Sequence, residues 1–86
     1  MTADEMRAIV IEALGRVAPE ADPAQISHSV SFRDQLDIDS MDFHRFMLSL
    51  GETLNLEVPE KAYPQLMTLD GCVAYLLANQ NTSPPQ

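Results

Sequence analysis

The sequence predicts an all-α fold: a small four-helix bundle with a long loop between its first and second helices and a short third helix. Three observations predict it. Apolar residues recur at helical spacing in three separate runs, each run opens on a residue suited to cap a helix, and prolines or irregular stretches separate the runs. With 86 residues the chain makes one domain. A chain of that size buries roughly 60–70% of its unfolded surface, enough for one modest core but not for a deep active site as well.

The first helix opens on Thr2-Ala-Asp-Glu5, a capping box in which threonine and glutamate satisfy each other's end of the chain. Met6, Ile9, Val10, Ala13, Leu14 and Val17 then recur at helical spacing, and the helix is expected to end near Arg16. Pro19 and Pro23 open a long connection that runs to Ile38. Its apolar residues, Ile26, Val30, Phe32, Leu36 and Ile38, place it against the core.

Asp39 is the expected N-cap of the second helix, with Asp42 three residues on and Ile38 and Phe43 in the hydrophobic-staple positions. Met41, Phe46, Met47, Leu50 and Leu54 are read as its apolar stripe. Gly51 inside this helix costs about 1 kcal/mol relative to alanine, which points to close approach by another element. Asn55 to Pro59 breaks the chain, and Pro64 limits the segment Glu60 to Leu66 to a turn or two. Thr68 caps the last helix, with Met67 and Cys72 as its staple and Leu69, Cys72, Val73, Leu76 and Leu77 as its buried face. The tail, residues 81–86, has no apolar side chain and is expected to be disordered.

Charge narrows the function. Thirteen acidic against five basic side chains give a net charge of −8. Arg7, Arg16, Arg33, Arg45 and Lys61 are scattered, so nucleic acid and anionic membranes are disfavoured and proteins with basic docking patches are favoured. Cys72 is the only cysteine, which excludes an intramolecular disulfide and a cysteine metal cluster. The first ten residues lack the pattern of a signal peptide, and no segment reaches membrane-spanning length. A cytoplasmic monomer is expected.

Four carboxylates, Asp34, Asp37, Asp39 and Asp42, crowd the entry to the second helix. A calcium loop starting at Asp37 would need an oxygen ligand at Met41, a glycine at Asp42 and a glutamate at Leu48, and all three fail, so no metal site is expected. Ser40 and His44 lie four apart on one helix face, but no nucleophile elbow surrounds the serine and an exposed face cannot exclude water. The histidine reads as solvent-facing, and no catalytic residue is assigned. His28 has no recognisable partner. Taken by itself, Ser40 is a helix-terminal serine making local hydrogen bonds.

Its surroundings lift it above that reading. The run Ser31-Phe-Arg-Asp-Gln-Leu-Asp-Ile-Asp-Ser-Met41 resembles the attachment motif of the acyl carrier protein family: an aromatic or aliphatic residue, an acidic residue, a leucine, then Asp-Ser-Leu or Asp-Ser-Met. The resemblance continues through Gly51-Glu-Thr-Leu-Asn-Leu-Glu-Val-Pro59, resumes at Met67-Thr-Leu69 and Tyr75-Leu76, and covers the chain from first helix to last. It implies a carrier domain over residues 1–80, with 4′-phosphopantetheine from coenzyme A esterified to Ser40, flanked by Asp39 and Met41. The cofactor's thiol would carry acyl groups as thioesters, so the protein would deliver and not catalyse. Implied partners are a phosphopantetheinyl transferase and the enzymes that load and accept acyl groups.

Asp42, His44, Arg45 and Glu52 are the expected docking residues on the second helix. Arg45 stands where the family commonly has an acidic residue, and His44, Ser49 and Gly51 dilute the acidic face further. Reversing a rim charge alters partner choice, so a specialised carrier in a dedicated lipid or secondary-metabolite pathway is expected. Asp37 replaces a glycine often found two residues before the motif's aspartate, and Pro64 shortens the helix that helps shape the family's acyl cavity. Met41, Met47 and Met67 are candidates to line such a cavity, with plain core as the favoured reading of each. Two other readings stay open: an aminoacyl or peptidyl carrier, and an unmodified helical adaptor that keeps the fold.

Overall fold

A computed structural model describes residues 2–80 of the chain; the tail expected to be disordered lies outside the described residues. Its helices follow the capping signals. α1 spans Ala3–Val17, α2 Phe32–Gln35, α3 Ser40–Leu54 and α4 Leu69–Gln80. Two 3-10 segments complete the order, a turn at Pro23–Gln25 after α1 and a helix at Glu60–Leu66 between α3 and α4. No strand occurs among the described residues. α1 lies against both α3 and α4, and the 3-10 helix lies against α4.

At the start of α1 the capping box is complete: Thr2 Oγ1 accepts from the Glu5 amide at 3.2 Å, and Glu5 Oε1 accepts from the Thr2 amide at 2.8 Å. That backbone hydrogen bond holds the Glu5 carboxyl below its usual range. Met6, Val10, Ala13 and Leu14 face the core, where they meet Phe43, Phe46, Met47 and Leu50 of α3 and Leu69, Cys72, Val73 and Leu76 of α4. Phe46 anchors an aromatic cluster, with edge-on contacts to Phe32 at 5.4 Å and Phe43 at 5.9 Å. Such pairs add about 0.5–1.5 kcal/mol each beyond their burial.

One member of the expected α3 stripe is misplaced. Met41 is 67% exposed. At about 100° per residue it stands roughly 180° round the helix from Leu50, so its spacing sets it off the stripe and on the opposite face. Leu54 and Leu77 are half-buried and packed on the core edge.

The loop between α1 and α3 holds more structure than expected. Ser31 caps the one-turn helix α2, and the buried Phe32 side chain pins that turn to the core. Gln35 clamps the preceding segment: its side chain accepts from the Ser27 amide at 2.8 Å and donates to the carbonyls of Ser27 and Val30 at 3.0 and 2.8 Å. Ile26 and Ile38 are buried as expected and Leu36 partly so, but Val30 is exposed on the outside of this clamp. Two backbone bonds tie the loop to the entry of α4, Phe32 N–H to Met67 O at 2.7 Å and Asp70 N–H to His28 O at 3.0 Å.

The group close to Gly51 belongs to the helix's own exit and not to another element. Asn55 takes the left-handed conformation, φ 54°, and the amides of Asn55 and Leu56 both donate to Gly51 O. This turns the chain back over the helix so tightly that a Cβ on Gly51 would meet Leu56 O at 2.7 Å. Thr68 caps α4 as expected, its Oγ1 accepting from the Gly71 amide at 3.0 Å.

Candidate functional site

Ser40 is the first residue of α3 and is exposed. Its position is set by a reciprocal cap: Asp39 Oδ1 accepts from the Asp42 amide at 2.9 Å, and Asp42 Oδ2 accepts from the Asp39 amide at 3.3 Å. Ile38 before the cap and Phe43 after it are both buried, so the chain enters the helix at a held angle. The Ser40 and Met41 amides keep no acceptor within the helix, because they belong to its first turn. Among the described residues, the Ser40 hydroxyl has no hydrogen-bond partner. A serine oxygen so placed is reachable from solvent and lies where a helix end tolerates an anion.

Beside Ser40 an open cleft of about 590 Å³ runs between α3 and the 3-10 helix. Met41, Phe43 and Leu48 of α3 face Tyr63 and Met67 across it, and Arg33 and Arg45 are among its polar lining. A second cleft, about 640 Å³, continues along α3 to Glu52 and Asn55. His44, Leu48, Glu60 and Tyr63 line both. His44 is exposed, as its sequence position implied, yet it is engaged: Nδ1 lies 3.0 Å from the Tyr63 hydroxyl, bridging α3 to the 3-10 helix. Burial, then the nearby Glu60, raises the Tyr63 pKa, so the phenol stays protonated and can donate to a neutral imidazole.

Ser40 and His44 therefore do not form a nucleophile and base; the histidine's partner is a tyrosine. Met47 is core at 1% exposed, whereas Met41 and Met67 line the cleft at Ser40. His28 does have a partner, Asp70, with Nδ1 3.7 Å from Oδ1. Asp39 and Asp42 spend their carboxylates on the cap, and no three His, Cys, Asp or Glu side chains among the described residues converge as a metal site. Cys72 is fully buried, and burial pushes its thiol up to about 12. The protein's own sulfur is thus withdrawn from acyl chemistry.

Residues 4–76 match the protein family described as a phosphopantetheine attachment site. Known relatives agree with it. The chain is 32% identical over 79 residues to a protein named acyl carrier protein from Cyanidioschyzon merolae, covering 92% of this chain and 81% of that one. It is 32% identical over 78 residues to one of the same name from Chlamydia muridarum, covering 91% and 95%. A third, from Chlamydia caviae, is 29% identical over 77 residues, covering 90% and 94%. The chain belongs to the acyl carrier protein family.

Its cofactor is accordingly 4′-phosphopantetheine, and the protein is a carrier and not a catalyst. Membership also implies dealings with a phosphopantetheinyl transferase and with acyl-handling enzymes. The carrier's Arg45 and Glu52 are exposed on α3, with His44 beside them and Asp42 tied into the cap. Sequence reasoning did not find Arg33, Leu48, Glu60 or Tyr63, which reach the cleft from three different elements of the chain. Among the described residues, no helix is long and apolar enough to cross a membrane.

Proposed function

We propose that Ser40 is the attachment point of 4′-phosphopantetheine and that residues 1–80 act as a monomeric, cytoplasmic carrier of acyl or related groups. The observation that carries this reading is the exposed Ser40 hydroxyl, without a hydrogen-bond partner among the described residues, on the first residue of a helix held by a reciprocal cap. The group's terminal thiol would supply the thioester chemistry. The chain's own residues do the rest. Asp39 and Asp42 fix the first turn, and the cleft lined by Met41, Phe43, Tyr63 and Met67 offers apolar cover near the attachment point.

Asp42, His44, Arg45 and Glu52 fit a docking face on α3, read by loading and accepting enzymes whose patches are basic overall. The cation at Arg45 supports service to a dedicated lipid or secondary-metabolite pathway, polyketide assembly included, over the general fatty acid biosynthesis pool. Incubation with coenzyme A and a broad-specificity phosphopantetheinyl transferase should add one phosphopantetheine by intact mass, and Ser40→Ala should stay unmodified. No mass gain with several transferases would instead point to an unmodified helical adaptor.

A further inference from the structure

Two of the three large hydrophobic side chains that the described residues leave exposed lie on α3, Met41 at 67% and Leu48 at 54%. At about 100° per residue, Met41, Arg45, Leu48 and Glu52 fall within a stripe roughly 60° wide on the side of α3 away from Leu50. The stripe begins one residue after Ser40 and reads apolar, cationic, apolar, anionic. Met41 and Leu48 stand about 10.5 Å apart along the axis, as do Arg45 and Glu52. Among the described residues, Arg33, Arg45 and Lys61 make no side-chain ion pair or hydrogen bond, whereas Arg7 and Arg16 are paired with Asp4 and Glu12; of the three, Arg45 is the one set between two exposed apolar side chains of its helix. In a chain of net charge −8, an unpaired arginine set between two exposed apolar side chains is not explained by solubility.

We infer that this ridge is a docking surface for a protein whose facing groove places a carboxylate between two apolar sockets, with a basic group about 10.5 Å further on opposite Glu52. The wider patch on that partner is basic, in keeping with the carrier's net charge, but its centre is acidic. The order of charges fixes which way round the carrier lies, and so sets the Ser40 end of α3 at one end of the groove. A partner fits better than a tethered acidic cargo, because Met41 and Leu48, although they border the cleft at Ser40, stay 67% and 54% exposed and need a facing surface to cover them. The inference deepens the carrier reading and rests on it only for what docking delivers.

The test uses two amphipathic helical peptides, identical except for a Glu or a Lys between two leucines, titrated into the unmodified ¹⁵N-labelled chain. The Glu peptide should bind about threefold tighter or better, the preference one exposed ion pair supports, with amide shifts centred on Met41, Arg45 and Leu48. Arg45→Glu should invert the order, and Leu48→Ser should weaken both peptides. Tighter binding of the Lys peptide, shifts centred elsewhere, or no binding of either at millimolar concentration would overturn the inference. So would loss of the Glu preference in a chain carrying a succinyl thioester on phosphopantetheine at Ser40, which would assign Arg45 to an acidic cargo. Because the titration of the unmodified chain needs no cofactor, its failure is separate from failure of Ser40 to be modified.

Discussion

The chain has one sulfhydryl of its own, and Cys72 illustrates how burial decides chemistry at a single residue. With the thiol pushed up from 9.0 to about 12, the native state holds that proton more tightly than the unfolded chain does. Its contribution to stability is therefore full below pH 9 and is lost as pH rises through about 12. Urea midpoints should fall from pH 9 upward, and Cys72→Ala should flatten that fall; equal slopes would show that the thiol has no part in it. In the unmodified native protein at pH 8, a thiol reagent should leave Cys72 unlabelled until urea is added. Ser40 and its cap were legible because every interaction that defines them joins residues five or fewer apart. Tyr63 was not, because its bond to His44 joins residues 19 apart and no local pattern announces it.

Among the elements, the glycines separate helix propensity from fit. A Cβ on Gly15 in α1 would meet nothing within 4 Å, so Gly15→Ala should stabilise the fold by about 0.5–1 kcal/mol. Gly51→Ala carries the same propensity gain into the carbonyl of Leu56 and should destabilise by about 1–2 kcal/mol instead. Urea denaturation of the two variants checks both signs at once. The helix starts at Thr2, Asp39 and Thr68 could all be read from sequence, because a cap is a local contract between a side chain and the next three amides. α2 could not: its single turn is held by the burial of Phe32 and the long-range bond to Met67 O. The outward turn of Met41 could have been read, since about 100° per residue sets it opposite the face shared by Phe43, Phe46, Met47 and Leu50.

The whole molecule carries its charge unevenly. Thirteen carboxylates on a small surface repel one another, and the ion pairs Arg7–Asp4 and Arg16–Glu12 are exposed and worth little. Screening should then relieve more repulsion than it removes attraction. Raising sodium chloride from about 10 to 200 mM, which shortens the Debye length from about 30 Å to below 10 Å, should raise Tm. A falling Tm would mean that local pairs outweigh the net charge.

The loop before Ser40 is stitched to the mouth of α4 by two backbone bonds, at Phe32 and at Asp70. Segments joined in this way open together and not one at a time. The amides of Phe32 and Asp70 should therefore exchange with deuterium at a common rate, as one cooperative unit. Whatever loosens the start of the last helix would then also loosen the approach to the serine, nearly thirty residues earlier in the chain.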